Sequence, residues 1–165
     1  METTPSELER YEELQMQAID FARTGDTDTL RRMIAVGMPV NLSDAKGQTL
    51  LMIASYNGNL ETTRMLLEAG AEVDRRNDRG QTPLGGVAFK GNLEAVKLLL
   101  DYGADANADN GNGMTPLSYA KMFGRHEVAA YLQSQGAKCT LRDRLLGIPG
   151  SIFGHLVPGQ DKMAS

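Results

Sequence analysis

The sequence predicts an all-α fold, a solenoid of about four helix–turn–helix repeats joined by β-hairpin turns. The spacing of the glycines predicts it first. Gly25, Gly58, Gly91 and Gly124 stand 33 residues apart, as do Gly37, Gly70, Gly103 and Gly136, and also Gly47, Gly80 and Gly113. A second series keeps that register: Thr49-Leu50-Leu51 returns as Thr82-Pro83-Leu84 and again as Thr115-Pro116-Leu117. Between these marks leucines and valines recur at helical spacing. A unit of this length cannot bury its apolar face alone, so its copies must stack.

At the front, Thr4-Pro5-Ser6-Glu7 has the form of a capping box with proline at the first helical position. It predicts one extended helix from about Pro5 to Arg23, whose face of Leu8, Tyr11, Leu14, Ala18 and Ile19 covers the repeat-two side of the stack. Within the repeats, Thr49, Thr82 and Thr115 are placed as N-caps, and Pro83 and Pro116 occupy a position where a missing N–H costs nothing. A short helix follows, as in Thr82 to Lys90, closed by Gly91 in a left-handed conformation. A second helix runs from about Leu93 to Tyr102 and buries Val96, Leu99 and Leu100. Gly103 ends it, and an extended segment through Ala106 leads to a turn at Asn110 to Gly113. Gly85-Gly86 inside a short helix should cost about 1 kcal/mol per residue relative to alanine. Close approach of a neighbouring helix explains the pair, or else a ligand approaching that backbone.

At the back, the position of Ile34, Leu67 and Leu100 becomes Gln133, a polar residue where the terminal repeat must meet solvent. Residues 1–14 are thus expected to form a helical extension and residues 15–138 the repeat domain, with repeats at 15–43, 44–76, 77–109 and 110–138. Residues 139–165 form an apolar tail holding Leu141, Leu145, Leu146, Ile148, Ile152, Phe153, Leu156 and Val157, broken by glycine and proline. Three readings of the tail stay open: a lid over the last repeat, a segment that touches a partner or membrane, and disordered chain. Arg142, Asp143 and Arg144 do not amount to the polybasic patch that membrane binding wants.

Composition narrows the function. The 165 residues suffice for one domain, and 41 % hydrophobic content allows a core. Seventeen Lys+Arg against twenty-one Asp+Glu leave a net charge of −4, which argues against a sequence-blind nucleic-acid binder. One cysteine, Cys139, excludes an internal disulfide and a cysteine-based zinc cluster, as expected in a reducing compartment. The N-terminus lacks the form of a secretory signal, and no apolar run is long enough to span a bilayer. A cytoplasmic monomer that binds neither nucleic acid nor membrane is expected.

Gly80-Gln-Thr-Pro-Leu84, Gly91-Asn-Leu-Glu-Ala-Val-Lys-Leu-Leu-Leu100 and Gly103-Ala-Asp-Ala-Asn107 make the sequence resemble the ankyrin repeat family from Ala18 to Lys138. Phe21 to Asp26, Val40-Asn-Leu42, Gly47 to Met52 and Asn77 to Leu84 further resemble small stand-alone ankyrin proteins of bacteria and fungi. The first repeat lacks its opening hairpin and begins inside its first helix. The family's usual histidine after Thr-Pro-Leu is replaced by Met52, Gly85 and Ser118, which removes its inter-repeat hydrogen bond. The resemblance implies a non-catalytic module that binds a partner protein through its concave face. Two other roles are compatible with it: an accessory protein of a redox or haem enzyme such as a catalase, and a toxin-neutralising protein.

No catalytic constellation emerges, and no cofactor is implied. His126 stands at a helix start and His155 in the tail, neither with a metal-ligand partner at suitable spacing. Ser118 and Cys139 lack a base, so Cys139 reads as an ordinary thiol. Asp105 to Gly111 looks like a calcium loop but has Asn110 at the position of the required glycine and Pro116 at that of the bidentate glutamate. Gly111-Asn-Gly113 is followed by no phosphate-loop lysine.

In ankyrin proteins the turn tips and the exposed ends of the first helices line the concave face. That pattern picks out Ala45, Lys46 and Gln48, Asp78, Arg79 and Gln81, and Gly111, Asn112 and Met114 in the turns. In the helices it picks out Arg23 and Thr24, Tyr56 and Asn57, Phe89 and Lys90, and Met122 and Phe123. Tyr56, Phe89 and Phe123 with Met122 have the composition of an interface strip, or else fill space between neighbouring turns. Lys46, Arg75, Arg76, Arg79 and Lys90 make a basic spot suited to a carboxylate or phosphate, or a solvated hairpin interlaced with Asp74 and Asp78. The candidate protein-binding residues are therefore Lys46, Tyr56, Asn57, Arg75, Arg76, Arg79, Phe89, Lys90, Asn112, Met122 and Phe123.

Overall fold

In a computed structural model, residues 5–141 and Arg144 are described. They include eight named helices: α1 Pro5–Thr24, α2 Thr27–Ala35, α3 Leu50–Tyr56, α4 Leu60–Glu68, α5 Pro83–Lys90, α6 Leu93–Asp101, α7 Pro116–Met122 and α8 His126–Ser134. Consecutive helices pair off, and the pairs stack into two layers. Helices α1, α3, α5 and α7 neighbour one another in the inner layer, and α2, α4, α6 and α8 in the outer. Leucines tie the layers together. Leu51, Leu84 and Leu117 recur at one inner position and Leu66, Leu99 and Leu132 at one outer position, all essentially inaccessible to water.

The helix boundaries follow from the caps. The side chains of Thr49, Thr82 and Thr115 accept from the N–H groups of Met52, Gly85 and Ser118 at 3.2 Å each, satisfying donors that a helix start leaves unpaired. Gly91 ends α5 with φ +79°, a conformation that costs glycine nothing. In the connections, the N–H groups of Asp44, Asn77 and Asn110 donate to the carbonyls of Gln48, Gln81 and Met114. These hairpins are tight turns. Among the described residues no strand forms, and one isolated bridge joins Ser43 to Thr49.

Side chains also lock each repeat to the next. Asn41, Asp74 and Asn107 occupy one register position and accept from the N–H of Glu72, Asp105 and Lys138 at 2.9, 3.0 and 2.7 Å. Asp74 is the odd member. Its second carboxylate oxygen is buried without a partner among the described residues, and burial, followed by the charge of Asp105, pushes its pKa up.

Several expectations need correction. Helix α1 has the expected extent, but only its C-terminal part packs: Ala18 and Ala22 are fully buried while Leu8, Tyr11 and Leu14 lie exposed. Helix α1 packs on α2 and α3, and its 20 residues far exceed their nine and seven. Met114, expected at a turn surface, is buried. Gly85 makes room for a side chain rather than a helix. A Cβ there would lie 2.1 Å from the Oδ1 of Asn110, which accepts from the N–H of Thr82 at 2.7 Å and from its hydroxyl at 3.0 Å. This bond ties two repeats together where the usual histidine is missing. Asn110 is released for it because Asp109 caps the turn, accepting from the N–H groups of Gly111 and Gly113. Gln133 is exposed, and its amide donates to the Cys139 thiol at 3.4 Å. The capping role of Thr4, His155, and the fate of the tail beyond Arg144 lie outside the described residues.

Candidate binding groove

One register position of the inner helices is occupied by Arg23, Tyr56, Phe89 and Met122, of which Phe89 is half-buried and the other three are exposed. Tyr56 and Phe89 stack with ring centroids 6.5 Å apart and planes 11° from parallel. Phe123, one residue past Met122, meets Phe89 edge to face at 4.5 Å and 71°. The ammonium of Lys90 sits 4.9 Å from the centre of the Tyr56 ring. Such contacts are worth about 0.5–1.5 kcal/mol each, so the aromatic row partly holds itself in place. It remains wet: Tyr56, Met122 and Phe123 are each 42 % exposed. The two readings of the strip are therefore not exclusive, because the rings pack on one another and still present a face to solvent.

Beside the row lies a groove of about 560 Å³, walled on its other side by the turns. Tyr56, Asn57, Arg79, Phe89 and Phe123 of the candidate residues line it. The structure brings these together but not the rest. Lys46 and Asn112 are exposed turn residues outside the lining, Asn112 with φ +54°, and Lys90 and Met122 flank the aromatic row. The arginine cluster comes apart. Arg75 pairs with Glu72 at 3.6 Å, Arg76 donates to the carbonyl of Asp109, and only Arg79 reaches the groove. Neighbours in sequence thus point to different surfaces.

Sequence reasoning missed the groove floor. Ile53, Gly86 and Tyr119 line it and share one register position, three residues before Tyr56, Phe89 and Met122. That spacing places them on the same helix face as the row, one turn back, and could have revealed them. Asn77 and Gln81 belong to the lining too, joined by a 3.0 Å side-chain hydrogen bond that fixes the middle turn.

The groove carries positive charge. Arg23 and Arg79 contribute guanidinium groups, and no aspartate or glutamate stands among the lining residues. Arg23 is paired with Asp20, whereas Arg79 has no ion-pair partner among the described residues. Asp105 and Asp109, in the calcium-like stretch, accept backbone N–H groups of their own turn. Among the described residues no group of His, Cys, Asp and Glu is arranged to hold a metal ion, and no helix is long and apolar enough to cross a membrane. The arrangement suits recognition: aromatic wall, open floor, positively charged rim.

Paired helices with threonine caps, glycine-closed ends and a turn-lined groove define a repeat protein, and the family follows from comparison. The pattern described as ankyrin repeats (3 copies) matches residues 16–77 and 70–143, so the chain belongs to the ankyrin repeat family. A Pseudomonas aeruginosa chain named as an ankyrin repeat protein, PA3287, is 46 % identical to it over 42 residues. That match spans about a quarter of each chain, 26 % of this one and 25 % of the relative.

Proposed function

We propose that the chain is a non-catalytic interaction module that docks a partner protein in the groove of its repeat array. Ankyrin repeats are generally modules of protein–protein interaction. The observation that carries the reading for this chain is the aromatic row along the groove, in which Tyr56 and Phe123 are open to solvent and the half-buried Phe89 ring braces both, since partly exposed rings held by their neighbours are what interface hot spots are made of. In this reading the array of residues 15–138 is the binding body, acting as a cytoplasmic monomer. Tyr56, Asn57, Arg79, Phe89 and Phe123 make the central contacts, while Lys46, Lys90, Asn112 and Met122 form the rim. Arg75 and Arg76 serve the scaffold through their Glu72 and Asp109 contacts.

Affinity capture with wild type beside a Tyr56/Phe89/Phe123→Ala variant, read by mass spectrometry, tests it. Circular dichroism must first show that the variant keeps its helices, because the rings also support one another. A partner held by wild type and lost by the folded variant supports the proposal. Equal recovery by both refutes it.

A further inference from the structure

Two adjacent glycines in α5 have different explanations. Gly85 is required, since any Cβ would collide with Asn110. Gly86 is not. A Cβ there would meet the Tyr56 ring at 3.5 Å, an ordinary contact, and its φ lies outside the left-handed range. Packing therefore admits alanine, yet the helix keeps one of the poorest helix formers at a half-buried position. The effect is local and geometric. Ile53 and Tyr119 fill the equivalent positions on either side, so the missing side chain leaves a notch in the groove floor beside the Tyr56 ring.

Charge identifies what belongs there. Among the described residues, the groove wall offers a guanidinium without an ion-pair partner at Arg79 and no carboxylate, although the chain as a whole carries a net charge of −4. The groove also runs from Arg23 on α1 to Phe123 beyond α7, crossing successive repeats, so an elongated occupant fits it better than a compact one. A polyanion such as nucleic acid would need many more phosphate-pairing cations than this wall supplies.

We infer that the groove takes an extended acidic peptide segment of a partner protein, with an apolar side chain in the Gly86 notch and a neighbouring carboxylate on Arg79. The inference rests on the reading of the groove as the binding face. Arg79 holds the carboxylate through a charge-assisted, two-pronged hydrogen bond, and the notch accepts the side chain that the helix omits.

The test uses the full chain. A displayed library of random peptides is panned on wild type, and an enriched peptide is synthesised and titrated by fluorescence anisotropy. The titration covers wild type and the Arg79→Glu, Gly86→Leu, Gly86→Ala, Tyr56→Ala and Arg75→Glu variants, each checked by thermal melting. Enriched peptides should pair an aspartate or glutamate with a large apolar residue. Arg79→Glu should weaken binding by about tenfold or more, and Arg75→Glu by less than about twofold. Gly86→Leu should abolish the apolar preference. If Gly86→Leu does not fold, the milder Gly86→Ala, which should melt higher, must still weaken binding.

Enriched peptides without an acid, or indifferent to Arg79→Glu, overturn the inference, and so does a library that enriches nothing. Acid-free peptides that still lose affinity in Tyr56→Ala would leave the groove reading standing without this refinement. Peptides indifferent to both Tyr56→Ala and Gly86→Leu would remove both. Displacement of the peptide by mixed-sequence single-stranded DNA, with steep salt dependence, would also overturn it in favour of a nucleic-acid face.

Discussion

The outer layer and the groove face are built on the same 33-residue period and use it in opposite ways. In the outer layer, Leu66, Leu99 and Leu132 repeat one residue at one position, and all are fully buried. On the groove face, one position reads Ile53, Gly86, Tyr119 and another Arg23, Tyr56, Phe89, Met122. One side chain fills the space between stacked repeats at the outer-layer position, although other buried positions vary, as Thr62, Ala95 and Val128 do. Where a position faces the groove, the repeats differ. At the positions compared, the packed layer keeps one residue and the groove face does not.

That contrast can be broken at several points. Leu99→Ala should have the largest effect, a loss of about 2–5 kcal/mol from a fully buried site, read as a lower denaturant midpoint. Comparable destabilisation by Tyr56→Ala would erase the distinction between the two faces. Next comes the bond that replaces the missing histidine. Asn110→Ala leaves the buried N–H of Thr82 without its acceptor and should cost about 1–3 kcal/mol. Gly85→Ala, by expelling the same side chain, should act in the same direction.

Asp74→Asn should stabilise the fold, because Asn41 and Asn107 show what the position accommodates and the new amide could donate to Asp105. A gain of about 0.5–1.5 kcal/mol at neutral pH is expected. Its sign follows from the raised pKa of Asp74, whose charged form is disfavoured in the folded state. The charged carboxylate therefore destabilises the wild type at neutral pH, and that deficit disappears as pH falls through the raised pKa. Melting the two proteins across the acidic range should show the advantage of Asp74→Asn shrinking. Gly86→Ala is the mildest change, a gain of about 0.5–1 kcal/mol from helix propensity, opposite in sign to its neighbour Gly85→Ala.

Much of the scaffold was legible in the sequence because it depends on local chemistry. Threonine caps, proline at the first helical position and glycines at helix ends act within a few residues, and each appears where the period placed it. The α1 surface was misread for a longer-range reason. Leu8, Tyr11 and Leu14 continue the stripe that buries Ala18 and Ala22, but a periodic pattern does not reveal how short the helices packed against it are. The reason for Gly85 was equally hidden, since Asn110 reaches it across a helix pair and looks like an ordinary turn residue in sequence. The groove was half legible. The repeat register identified the aromatic row, whereas the dispersal of Arg75, Arg76 and Arg79 depends on how one turn folds.

Hydrogen exchange on the chain bound to its captured partner tests the central claim most directly. Slowed exchange is expected in the last turns of α3, α5 and α7 and in the connections around Gln48, Arg79 and Gln81, with α4, α6 and α8 unchanged. Protection confined to that outer layer, with the inner helix ends exchanging as fast as in the free chain, would contradict the account.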